Sequence, residues 1–139
     1  ARANGGDGSR LGITGFCWGG RITWLYAAHQ PRLKAAAAWY GRITGPTSPL
    51  QPHHPLDVAD ELKAPVLGLY GGQDSGIPLE HVEQLRARLR QVRSASQVWV
   101  YPDAPHAFFA DYRASYRPDA AEDGWQRLKD WFAQYGLRP

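Results

Sequence analysis

The feature that most constrains the fold is an alternation of two periodicities. Largely apolar runs, at 11–16, 34–40, 65–71 and 97–101, take turns with segments whose apolar residues recur every three or four positions. Strands of that kind belong to a parallel sheet covered on both faces, and the intervening helices supply the crossovers. The expected architecture is α/β, a mainly parallel sheet with helices on both faces. The helical segments run from Gly19 to the stop at Pro31, over 78–92 with Pro78 at the first helical position, and over 119–135 with Gly136 as terminator. A shorter helix is expected over 57–62. Between strands two and three, Gly41 to Pro55 carries four prolines and reads as a surface excursion without regular structure.

The chain has 139 residues, the size of one domain, and 43% of them are hydrophobic, enough for a single core. One cysteine excludes a disulfide framework and a multi-cysteine zinc site. The net charge is +3 and the basic residues are dispersed, which speaks against nucleic acid as a partner. No apolar run reaches the ~18–20 residues of a membrane span, so a cytoplasmic protein is expected. The chain contains no Met and begins with Ala1 in a stretch that reads as a helix end followed by a turn, as if entered midway.

In a sheet of this kind chemistry gathers at the carboxyl ends of the strands. The first strand runs into Gly15-Phe16-Cys17-Trp18-Gly19-Gly20, a nucleophile elbow with cysteine at its centre. Larger side chains at 15 and 19 are expected to collide across the sharp turn. The helix N-terminus that follows favours an anion and so a thiolate. The plainer reading is a small buried thiol in a glycine-rich turn.

A thiol nucleophile needs a base, and the base needs an orienting group. Of five histidines, His29 and His81 read as surface residues. His53 and His54 lie in the proline-rich stretch, where a metal pair has no supporting ligand pattern, so no metal is expected. His106 alone follows a strand at its carboxyl end. The acid between nucleophile and base is Asp74, in Gly71-Gly72-Gln73-Asp74-Ser75, with Asp103 as a rival better suited to local turn bonds. Trp39, Tyr40, Phe108 and Phe109, with the 41–55 stretch, are expected to frame an acyl pocket. Trp125, Trp131 and Phe132 have helical spacing and read as core.

The elbow around Cys17, the Tyr70-Gly71-Gly72-Gln73-Asp74 segment and the Pro-His-x-Phe element at His106 occur in order. On them the sequence resembles the dienelactone hydrolase family (carboxymethylenebutenolidase-like) of the α/β-hydrolase superfamily, over essentially the whole chain. The resemblance implies hydrolysis of a small ester or lactone by a Cys17–His106–Asp74 triad through an acyl-thioester. The backbone N–H of Trp18 would serve as one oxyanion donor, and no cofactor is implied.

It also implies that residues 1–139 are the carboxyl-terminal portion of a longer domain whose first strands are missing. The isolated chain is then expected to be impaired, with an exposed sheet edge open to self-association. The family places an arginine four residues after the histidine; that position is Ala110 here, and Arg113 is the candidate substitute. Dienelactone itself is thereby disfavoured as substrate. The reading from another class is a non-catalytic α/β binding module that keeps the elbow for structural reasons. An esterase using Ser75 is a third.

Overall fold

The computed structural model describes residues 2–138. Four strands, β1 (Leu11–Phe16), β2 (Leu33–Trp39), β3 (Val66–Gly71) and β4 (Gln97–Tyr101), pair in that order. All three pairings are parallel. Three helices follow in the expected places: α1 (Trp18–His29), α2 (Leu79–Gln91) and α3 (Pro118–Gln134). The α/β architecture read from the alternation is therefore present.

Glycine and alanine positions show how the layers close. The alanines 35–38 of β2 are fully buried, and their small size lets α1 lie close over β1 and β2. Gly68 of β3 faces the same side, where a Cβ would meet the Trp24 ring at 2.8 Å. Trp24 then donates its indole N–H to the Tyr70 hydroxyl at 3.0 Å. On the opposite face, Gly124 of α3 sits against Trp39 and Phe132 lies near Gly12. Helices thus cover both faces.

Coverage is less even than the apolar runs suggest. β3 is buried at every position and β2 at all but Lys34, while β1 and β4 alternate between half-buried and more exposed residues. A single helix on the α3 face spans the middle of the sheet and leaves the outer strands partly open.

Three local expectations are corrected. The helix expected at 57–62 is a single 3₁₀ turn over Pro55–Val58, because Asp57 accepts the His54 backbone N–H and closes a capping box there. Tyr40 does not extend β2; its φ of 36° ends the strand. His54, read as a loop histidine, is 1% exposed. Its Nε2 lies 2.8 Å from the Pro46 carbonyl, which can only accept, so Nδ1 is the acceptor for the buried Arg21 Nε at 3.3 Å. Arg21 also donates to the His53 carbonyl at 2.6 Å. The proline-rich segment is thereby fastened to α1. No helix among the described residues is long and apolar enough to cross a membrane, and no group of side chains there could hold a metal ion.

Candidate active site

Cys17 stands between β1 and α1 with φ 56° and ψ −120°, a backbone conformation that L residues rarely adopt. Its amide N–H is held by the Trp39 carbonyl at 3.0 Å, and its own carbonyl accepts from Arg21 N at 3.2 Å. The elbow is therefore pinned to β2 on one side and to α1 on the other. A Cβ on Gly15 would run into the Gly19 carbonyl and come within 2.8 Å of Thr23 Oγ1. Gly19, by contrast, has open space around it, contrary to the expected collision. The second tight glycine is Gly20, which packs against Gly41 and the Trp39 carbonyl where α1 starts beside the end of β2.

The loops after β3 and β4 are laced together by backbone hydrogen bonds. Gly72 N donates to Tyr101 O at 2.7 Å, and Gln73 N donates to Ala104 O at 2.9 Å. Gly71 and Gly72 permit this approach, since a Cβ on either would strike the backbone of the other loop. The lacing brings Asp74 and His106 to hydrogen-bonding distance, with Nδ1 of His106 2.6 Å from Oδ2 of Asp74. Oδ1 accepts the Gly76 amide at 2.9 Å, so both carboxylate oxygens have partners. Asp74 is 5% exposed while His106 is half-buried. Asp103, the rival acid, is exposed.

Among the described residues, three of the four non-glycine residues with positive φ, Cys17, Tyr40 and Ala107, lie at these strand ends; Arg93 is the fourth. Strain of this kind persists where surrounding structure over-determines it and clusters at functional sites. The Tyr40 ring meets the His106 ring edge-on, with centroids 5.1 Å apart.

The Cys17 sulfur differs from expectation. Burial pushes its thiol above the ordinary value of 9.0, against the opposing pull of the Arg113 charge, and the Asp74 carboxylate raises it further. No hydrogen bond joins Cys17 to His106 among the described residues. Trp18, whose N–H was read as an oxyanion donor, is the first residue of α1, where helical geometry leaves that N–H without an intrahelical partner. Its indole is 63% exposed.

A cavity of about 490 Å³ opens beside the sulfur, lined among others by Phe16, Cys17, Tyr40, Phe109, Arg113 and Trp125. Of the expected pocket residues, Tyr40 and Phe109 line it. Trp39 and Phe108 are fully buried and lie beneath it: Trp39 stacks on Phe16 at 5.3 Å, and Phe108 meets Tyr40 at 5.2 Å. Residues 41–55 contribute nothing to its wall. Trp125 is not core; it is 44% exposed and faces this cavity from α3. The signal for Trp125 was a position at the border of the apolar stripe, away from Trp131.

The model of the dienelactone hydrolase family matches residues 1–136. A provisionally named carboxymethylenebutenolidase of Salmonella typhimurium is 63% identical over 136 residues, covering 98% of this chain and 50% of its own length. Its Escherichia coli K12 counterpart is 62% identical over the same length, with the same coverage. The crystal structure of a provisionally assigned dienelactone hydrolase from Klebsiella pneumoniae superposes with a TM-score of 0.94 at 60% identity. It is covered to 56%, against 96% of this chain. The chain spans about half the length of the curated relatives it matches.

Proposed function

This chain belongs to the dienelactone hydrolase family, and from that premise we propose that it carries the triad of a hydrolase acting on small esters or lactones. Cys17 is the nucleophile, His106 the base and then the acid, and Asp74 the group that holds the imidazole. The observation that carries this reading is the 2.6 Å bond from His106 Nδ1 to a buried carboxylate. It leaves Nε2 as the ring nitrogen free to exchange protons, and the Asp74 carboxylate is near enough to the strained cysteine to act on its thiol.

The chemistry follows from the protonated thiol. As sulfur attacks the substrate carbonyl, Nε2 of His106 takes the thiol proton and the C–S bond forms. The carbonyl oxygen becomes an oxyanion, and the Trp18 N–H is suited to receive it. Collapse breaks the acyl C–O bond, and His106 returns the proton to the departing alkoxide. In the second half, His106 takes a proton from water, whose oxygen attacks the thioester. The acid leaves, and the proton goes back to sulfur. Asp74 stays ionised throughout, fixing the tautomer and stabilising the imidazolium formed in each half.

A thiol held above its ordinary range suits this sequence, because deprotonation is coupled to attack instead of preceding it. Hydrolysis of p-nitrophenyl acetate by the chain and its Cys17→Ala and His106→Ala variants tests the reading. Both substitutions should abolish the enzymatic rate. Hydrolysis that survives Cys17→Ala would overturn the proposal and return attention to a serine.

A further inference from the structure

Cys17 and His106 share no hydrogen bond among the described residues, yet both lean on the same two-residue strand end. The Trp39 carbonyl holds the Cys17 amide at 3.0 Å. The next residue, Tyr40, sets its ring edge-on to His106 with centroids 5.1 Å apart. Among the described residues that ring is the one aromatic partner of the imidazole. It is itself wedged against Phe108, 5.2 Å away at an interplanar angle of 71°. Tyr40 is 2% exposed, so these contacts are internal to the chain and owe nothing to what covers the edge strand β1.

The backbone is bent to place this ring. Tyr40 N donates to Leu69 O at 2.7 Å, which ties the residue to β3 just beyond the last paired position of β2. Its φ of 36° then turns the chain out of the strand. Strain of this kind persists only where the surrounding contacts over-determine it. The Asp74 bond grips His106 at Nδ1 alone, and the imidazole side chain is 41% exposed. A ring gripped at one atom can still swing about that bond and carry Nε2 off its line; a second contact on the ring removes that freedom. Burial, with the nearby Cys17, holds the Tyr40 hydroxyl well above its ordinary 10.0. It therefore stays neutral and brings no charge to the pair.

Resting on the triad reading above, we infer that Tyr40 is the positioning residue of His106: its ring, packed edge-on against the imidazole, fixes the direction in which Nε2 points. The Trp39 carbonyl fixes the elbow that carries the sulfur. The end of β2 thereby sets the spacing of nucleophile and base, in place of a bond between them. The ring does this and the hydroxyl does not. Phenylalanine can stand in for Tyr40, and an aliphatic side chain cannot.

Three substitutions separate the ring from its bulk. Tyr40→Leu and Tyr40→Met keep an apolar side chain and lose the ring, while Tyr40→Phe keeps the ring and loses the hydroxyl. A misplacement of ~1 Å can cost about a hundredfold in rate. The Leu and Met variants should therefore lose about ten- to a hundredfold in kcat for p-nitrophenyl acetate with KM little changed. Tyr40→Phe should restore most of that loss. A readout without turnover is the proton that His106 Nδ1 shares with Asp74, which a short bond to a carboxylate moves far downfield in the NMR spectrum. That signal should persist in Tyr40→Phe and broaden away in the Leu and Met variants. Alkylation of Cys17 by iodoacetamide, at a pH high enough to ionise the sulfur without a base, should be the same in all three and so report an intact elbow. An aliphatic variant with unmodified kcat and signal would overturn the inference. So would alkylation lost together with kcat, a Tyr40→Phe as impaired as Tyr40→Leu, or failure of both aliphatic variants to fold. Hydrolysis that survives His106→Ala sinks the triad reading, and the downfield signal still reports whether Tyr40 holds the imidazole. Unmodified kcat in Tyr40→Leu with His106→Ala inactive sinks only the positioning role.

Discussion

Nδ1 of His106 lies 2.6 Å from Oδ2 of Asp74, and the two residues reach one another only because the loops after β3 and β4 are hydrogen-bonded together. Thirty-two positions apart in sequence, they form one unit in space. The carboxylate is the buried member and the imidazole the accessible one, the arrangement an orienting acid and a working base require.

If Asp74 sets the tautomer, Asp74→Asn should leave the fold intact and reduce kcat for p-nitrophenyl acetate by about 10³–10⁴-fold, with KM little changed. Steady-state kinetics beside a thermal melt separates this from a structural loss. A fall of less than tenfold would show that the carboxylate is not the orienting group.

The reactivity of Cys17 should follow the raised thiol. Burial favours the neutral form, so the midpoint of thiol ionisation lies above the ordinary value of 9.0. The rate of iodoacetamide labelling should therefore keep climbing past that point. Arg113 opposes the shift through its charge, so Arg113→Ala should move the labelling profile to still higher pH. A profile that levels off below pH 8 would contradict the account.

The buried Arg21–His54 pair should matter for the proline-rich segment and not for the chemistry. His54→Ala removes the acceptor of the Arg21 Nε and the donor to the Pro46 carbonyl, leaving the nitrogen of the buried Arg21 unpaired. A loss of about 1–3 kcal/mol in unfolding free energy is expected. Amide exchange should speed up across 41–55 ahead of the rest of the chain. An unchanged melt with normal exchange in that segment would show that the pair does not hold it.

The strand and helix order was legible because burial on both faces leaves a plain mark, an unbroken apolar run, on β2 and β3. The strand-end places of Cys17 and Asp74 were legible because glycines punctuate the turns that carry them, and that of His106 because it follows a strand at its carboxyl end. What escaped was decided by tertiary placement. Gly19 looks like the second tight glycine, yet the close approach falls at Gly20, since it is β2 and not the elbow itself that crowds the start of α1. Helical spacing puts Trp125 with Leu128 and Phe132, and only its place at the border of that stripe sets it apart; the ring beside it is Phe109. The raised thiol escaped for a similar reason: the helix N-terminus is visible in sequence, and the burial of the sulfur is not.

The most direct test of the account is the intermediate itself. The chain is mixed with p-nitrophenyl acetate, quenched in acid within the first turnovers, digested and examined by mass spectrometry. An acetyl group on the peptide containing Cys17, accumulating in the His106→Ala variant if at all only slowly, is the predicted result. Continued hydrolysis with Cys17 unmodified at every time point, or with the acetyl group on a serine, would contradict it.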